Sequence, residues 1–125
     1  MPRPDAVRRV KSYSAANGFV YQYFFYEVNR INGETGESGE FTYAVTCDRR
    51  SMFGVRILVR QSALADWARQ NGRPLTSSEE DAVAKMRLFQ GFDAGEVPPN
   101  VEPDSAITLV VDGSNLEGLL QTLNI

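Results

Sequence analysis

The chain has no histidine. That removes the commonest general base, the Ser-His and Cys-His nucleophile pairs, and most zinc sites. Cys47 is the one cysteine, so disulfide frameworks and thiolate or iron–sulfur clusters are out of reach. At an apolar position of a strand pattern, Cys47 reads as a small core residue. No apolar run approaches the ~18 residues of a membrane span. The opening MPRPDAVRRVK lacks the hydrophobic region of a secretory signal, which points to a cytoplasmic protein. Neither a Walker loop nor a dinucleotide fingerprint is present. These absences lead us to expect no catalytic residues, no enzymatic activity, no cofactor and no metal.

Basic residues are also missing from the last third. All 13 Lys and Arg fall within residues 1–87, while 88–125 holds Asp93, Glu96, Glu102, Asp104, Asp112 and Glu117. An acidic segment of this kind is expected to lie over the basic body of its own or a neighbouring subunit. Residues 1–12 form a basic arm, with Arg3, Arg8, Arg9 and Lys11 against Asp5, and read as a solvated terminus.

With 125 residues, 42% of them hydrophobic and 23% charged, the chain has the composition of one soluble domain, residues 1–125. Its most distinctive stretch is Phe19–Ile31, FVYQYFFYEVNRI, rich in the aromatic and β-branched residues that strands prefer. Alternation puts Phe19, Tyr21, Tyr23, Phe25 and Glu27 on one face and Val20, Gln22, Phe24, Tyr26 and Val28 on the other. Both faces are apolar, so both call for cover. A turn at Asn32-Gly33 and the glycines after it predict a hairpin tip over 32–39. Glu34, Glu37 and Glu40 there would repel a phosphate and lack the spacing of a calcium loop. Phe41–Asp48 and Phe53–Gln61 alternate as two further strands, which makes an antiparallel meander. The second of them carries Arg56 and Arg60 on its polar face.

Two helices follow. Ser62 is a candidate cap for the first, with Leu64, Trp67 and Ala68 as its stripe and Gly72 and Pro74 as its stop. The second opens at Thr76 or Ser77 with a capping box, buries Ala82, Val83, Met86 and Phe89, and ends at Gly91. A DNA-binding helix-turn-helix does not fit, because Glu79, Glu80 and Asp81 would open the recognition helix and repel phosphate.

Residues 92–105 read as a proline-rich, acidic connection, and 106–125 as a strand, Ile107–Val111, plus a docked helix. That helix has a capping box from Ser114 and Glu117 and an apolar face of Leu116, Leu119, Leu120 and Leu123. The predicted fold is thus α+β: an antiparallel meander of three strands plus a late fourth, helices on one face, in the order β-β-β-α-α-β-α. The eight residues Leu109-Val110-Val111-Asp112-Gly113-Ser114-Asn115-Leu116 resemble the opening strand and loop of NYN and PIN-like nucleases. In that family the strand-end aspartate binds a catalytic metal, but its further acids lie in a hundred or so downstream residues. The resemblance stops at Leu116, so the family's roles are not carried over.

Three functional readings follow. In the first, the chain is a non-enzymatic protein-interaction or regulatory module and a homodimer, with Tyr21, Tyr23 and Phe25 at the interface or against another protein. In the second it binds a small anionic ligand, with the sheet as pocket wall, Tyr21, Tyr23 and Tyr26 giving shape, and Arg56 and Arg60 holding the anion. In the third, sheet aromatics stack single-stranded nucleic acid. The ribonucleoprotein-type aromatic signature is absent, and the acidic last third opposes the third reading. No membrane partner is expected.

Overall fold

The computed structural model describes residues 9–33, 36–102 and 105–125. In chain order its elements are β1 (Lys11–Ser14), β2 (Val20–Gly33), β3 (Gly36–Thr46), β4 (Phe53–Arg60), α1 (Gln61–Asn71), α2 (Ser77–Asp93), β5 (Ala106–Val111) and α3 (Leu116–Thr122). The fold is α+β: five strands in one mostly antiparallel sheet, ordered β1-β2-β3-β4-β5, with three helices. The late strand β5 runs parallel to β4, with α1 and α2 in the crossover. One strand more is present than the sequence predicts. Lys11–Ser14, at the end of the basic arm, pairs antiparallel with Val20–Tyr23. Residues 1–8 of that arm lie outside the described residues.

β4 shows the plan of the sheet. Phe53, Val55, Ile57 and Val59 are buried, and Gly54, Arg56, Leu58 and Arg60 between them are not. The buried set faces α2, and cross-strand register extends it through Phe41, Tyr43 and Val45 of β3, Tyr21 and Tyr23 of β2, and Leu109 and Val111 of β5. The opposite set forms a second sheet face.

Alternation in β2 breaks at a bulge between Phe25 and Glu27. Two residues there oppose one on β3, so every later side chain changes face. Tyr26 is the extra residue. Glu27 pairs with Thr42 and so lies on the face away from α2, not beside Phe25 as strict alternation predicts. The strands also run on to Gly33 and Gly36, which pair with each other, so Asn32 and Gly33 belong to β2 and not to a turn. Glu34 and Thr35 lie outside the described residues.

α1 starts at Gln61 with Arg60 as its cap residue and no side-chain cap, so Ser62 lies inside the helix. Gly72 ends it at φ 73°, a left-handed conformation that costs glycine little. α2 opens with a capping box between Thr76 and Glu79. Arg73 donates to both carboxylate oxygens of Glu79, at 2.8 and 3.0 Å.

The buried stripe of α2 is Val83, Ala84, Arg87, Leu88, Gly91 and Phe92, rotated from the predicted one; Met86 and Phe89 are half-buried beside it. Arg87 can lie in this stripe because its donors are satisfied. They reach Val110 O at 3.0 Å and both oxygens of Glu96 at 2.8 and 3.1 Å. Glu96, from the acidic last third, thus does lie over a base of its own chain. α2 does not end at Gly91 but runs to Asp93; Gly91 is a buried position inside the helix that faces Leu109 of β5.

Past α2 the chain turns back, and Val97 is buried. Asp93 ties the end of α2 to the β1–β2 turn by accepting from Tyr13 Oη at 2.7 Å and Ala16 N at 2.8 Å. That hydrogen bond, and then burial, push the Tyr13 hydroxyl up to about 12. α3 buries Leu116, Leu119 and Leu120 and packs on α2. Its cap residue is Asn115, without a side-chain cap bond, in place of the predicted Ser114 box. Asn115 instead bridges the edge strand, accepting from Asp112 N and donating to Val110 O, both at 2.9 Å.

Candidate functional site

Two surfaces carry the residues singled out in the sequence, and they lie on opposite sides of the sheet. The first is a cleft of about 410 Å³ between the β1–β3 part of the sheet and the first half of α2. Its wall includes the aromatic residues Tyr23, Phe25 and Tyr43. Their rings form a run, with centroids 6.3 Å apart for Tyr23–Tyr43 and 5.6 Å for Phe25–Tyr43, both edge to face. The run is fixed from behind, since Tyr23 also meets Phe89 edge to face at 5.5 Å.

Charged residues complete the cleft: Arg9 and Lys11 from the β1 side, and Asp81 and Lys85 from α2. Burial first, and then the neighbouring Lys11, hold the Lys85 ammonium below the ordinary lysine value. Burial first, and then the Asp81 charge, raise the Tyr43 hydroxyl above the ordinary tyrosine value.

The second surface is the sheet face turned away from α2. Four cross-strand rows describe it: Phe24–Ala44–Gly54–Ala106, Glu27–Thr42–Arg56–Thr108, Asn29–Glu40–Leu58–Val110 and Ile31–Ser38–Arg60. Apart from buried Ser38 these residues are half-buried or exposed. Val20, at the start of β2 on the same face, is 50% exposed.

The predicted site residues are divided between these places. Tyr21 is fully buried, stacked on Phe92 at 4.1 Å, and its hydroxyl donates to Val97 O at 2.6 Å. Its ring and its polar end are both engaged inside the chain, so it reaches neither a ligand nor a second subunit. Tyr23 is 4% exposed and Phe25 half-buried; both face α2 and line the cleft. This face is covered by the chain's own helix, which takes Tyr21 and Tyr23 off any intersubunit surface. Tyr26, at the bulge, is half-buried and lies outside the cleft wall. Arg56 and Arg60 are on the far face, separated from Tyr21 and Tyr23 by the thickness of the sheet. The expected combination of Tyr21 and Tyr23 with the β4 arginines therefore does not form.

Sequence reasoning missed Arg9, Lys11, Lys85 and Tyr43 as members of one cleft. They come from three separate segments, Arg9 and Lys11 at the start of the chain, Tyr43 in β3 and Lys85 in α2, and only tertiary packing brings them together.

The strand end that resembles the nucleases is an internally satisfied turn. The Asp112 carboxylate accepts from Ser114 N at 2.9 Å and Ser114 Oγ at 2.5 Å, and that pairing is the main reason it titrates below the usual range. Among the described residues, no three His, Cys, Asp or Glu side chains group as a metal site. No helix among them is long and apolar enough to cross a membrane. Compared with protein-family models, with curated proteins and with solved structures, the chain matches none.

Proposed function

We propose that the protein is a non-enzymatic interaction module that works as a homodimer through the sheet face turned away from α2. The observation that carries this reading is Gly54. It sits within β4, an inner strand, where glycine is unfavourable. Its φ is not positive, and a Cβ built on it would meet nothing within 4 Å. Nothing inside the described chain calls for a glycine there. A strand glycine commonly marks the close approach of another group.

A second copy supplies that group. Phe24 is the large side chain in the row whose other members are Ala44, Gly54 and Ala106. Consider a two-fold axis lying between two facing sheets and running along β3. Strands β2 and β4 flank β3 at equal spacing, so the axis sets β2 of one copy over β4 of the other without changing the level along the strands. Phe24 then stands over Gly54 of the second copy. In the next row Glu27 stands over Arg56 of the second copy, and the reverse. Shape and charge are self-complementary under the same operation, and aligned sheet packing is a common way to bury two such faces. Together these features support a second copy over an unrelated partner.

Sedimentation equilibrium and light scattering at about 0.1 mM protein, a concentration that detects micromolar association, test the reading. The wild type is expected to be a dimer. Glu27→Arg and Arg56→Glu should each weaken it by setting like charges opposite each other, and the double variant should restore it. A monomeric wild type, or single variants that dimerise as well as the wild type, would overturn the assignment.

A further inference from the structure

We infer that the cleft between α2 and the β1–β3 part of the sheet is a binding site for a small organic oxyanion with a flat apolar body, its head group held by Lys11 and Lys85. This goes beyond the dimer: the charged groups it rests on are distinct from Gly54, Glu27 and Arg56, and Phe24 alone belongs both to the cleft lining and to the proposed dimer face.

Three observations combine. The first is size and wall. A cavity of about 410 Å³ falls within the ~300–1,000 Å³ of small-molecule sites, which are mostly apolar with a few convergent polar groups. The aromatic run Phe25–Tyr43–Tyr23 is such a wall, and its rings are already held in place by each other and by Phe89. A flat ligand finds this surface formed before it arrives, which lowers the ordering cost of binding.

The second is charge. Of the four ionised residues in the wall, Arg9, Lys11 and Lys85 are positive and Asp81 is negative. The wall therefore favours an anion and disfavours a cation. Asp81 lies one helical turn before Lys85 on α2, so it offsets part of that field without cancelling it.

The third is arrangement. Lys11 and Lys85 come from different elements yet approach closely enough to repel each other, beside a partly desolvating apolar wall. Two ammonium groups brought together in this way cost the empty protein free energy, and an oxyanion between them removes that cost. Lysine suits the task, being a point charge with three donors that accepts carboxylate and phosphate alike. Tyr23 and Tyr43, both hydroxyl-bearing and both in the wall, add polar ends to an apolar floor.

The test uses 1-naphthoate, 1-naphthyl phosphate and neutral 1-naphthylmethanol as probes, titrated into the 125-residue chain by calorimetry and by amide and aromatic NMR shifts. Saturable binding of at least one anion is expected, at least ten-fold tighter than the neutral probe, with shifts at Tyr23, Tyr43 and Lys85. The tighter anion tells carboxylate from phosphate as the preferred head group. Lys85→Met and Lys11→Met should each weaken it about ten-fold or more, the loss of one charge-assisted contact. Arg69→Ala, on the exposed surface of α1, should leave it unchanged. The inference fails if neither anion binds at about 1 mM, if the neutral probe binds as tightly, or if both lysine variants bind like the wild type. Lys11 stands on a short edge strand, so its variant keeps the question open to decision should Lys85→Met fold poorly.

Discussion

Gly91, inside α2, faces Leu109 of β5 so closely that a Cβ built on the glycine would stand 2.5 Å from Leu109 Cδ1 and 3.3 Å from Val97 Cγ2. A helix-interior glycine costs about 1 kcal/mol relative to alanine. It is tolerated here because it lets the helix axis approach the sheet. Gly91→Ala should therefore destabilise the protein despite its better helix propensity. Overpacking of about 1–3 kcal/mol outweighs the propensity gain of about 1 kcal/mol. Leu109→Val in the same chain removes the opposing methyl and should recover part of the loss. Urea denaturation of the two single variants and the double variant checks this. Strictly additive effects would show that the two positions are not in contact.

Tyr21 offers a second test of the same packing. Its hydroxyl donates to the buried carbonyl of Val97, which fixes the turn after α2. Tyr21→Phe keeps the ring stack on Phe92 and removes the hydroxyl, which donates to Val97 O and also accepts from Asn17 Nδ2 at 3.4 Å. The expected cost is about 1–2 kcal/mol, since a buried acceptor is left unpaired. An unchanged urea midpoint would mean that water replaces the hydroxyl there.

Glu79 gives a dependence on pH. Its carboxyl is lowered to about 2, first by Arg73 and then by the Thr76 backbone N–H. A carboxyl depressed in the folded state contributes stability above its unfolded value, near 4.5, and loses that contribution as pH falls toward 2. Glu79→Gln should therefore lower the Tm at pH 7, and the gap to the wild type should close between about pH 4.5 and 2. Thermal scans across that range decide it. A gap that stays constant would rule out the ionised carboxylate as the source.

Gly54 separates folding from association. A Cβ there meets nothing within 4 Å in its own chain, and leaving glycine improves strand propensity. Gly54→Leu is thus expected to hold or raise the stability of the fold by up to about 1 kcal/mol while weakening the dimer at least ten-fold. Sedimentation combined with thermal melting reads both effects at once. A dimer that survives the substitution would place Phe24 somewhere other than over this position.

The meander was legible because its signals are local. Phe41–Cys47 and Phe53–Arg60 alternate within one strand, and Gly72 and Thr76 mark helix ends through their own backbone chemistry. The errors came where a distant contact overrides a local rule. Gly91 reads as a stop, but its reason is Leu109. Arg87 is not among the residues of the predicted stripe, but Glu96 and Val110 O let it sit in the buried one. Lys11–Ser14 is too short and polar to announce a strand, and exists by pairing with β2. One inserted residue at the β2 bulge moved Glu27 to the other face, which no alternation count foresees. Of the candidate site residues, Tyr23 is the ligand-site candidate that does line the cleft. Its neighbours Arg9 and Lys11 lie some seventy-odd residues from Lys85 in the chain, and nothing in that spacing announces that they meet.

The parallel pairing of β5 with β4 has a consequence for the order of folding. β2, β3 and β4 are joined by short turns, so their pairing closes small loops and can start early. The free edge of β4 has to wait for β5, with the whole of α1 and α2 in between. Until that late segment arrives, Val55, Ile57 and Val59 line a half-built core whose edge can pair with other chains. The nascent protein is therefore most exposed to misassembly after its meander has formed and before β5 is added.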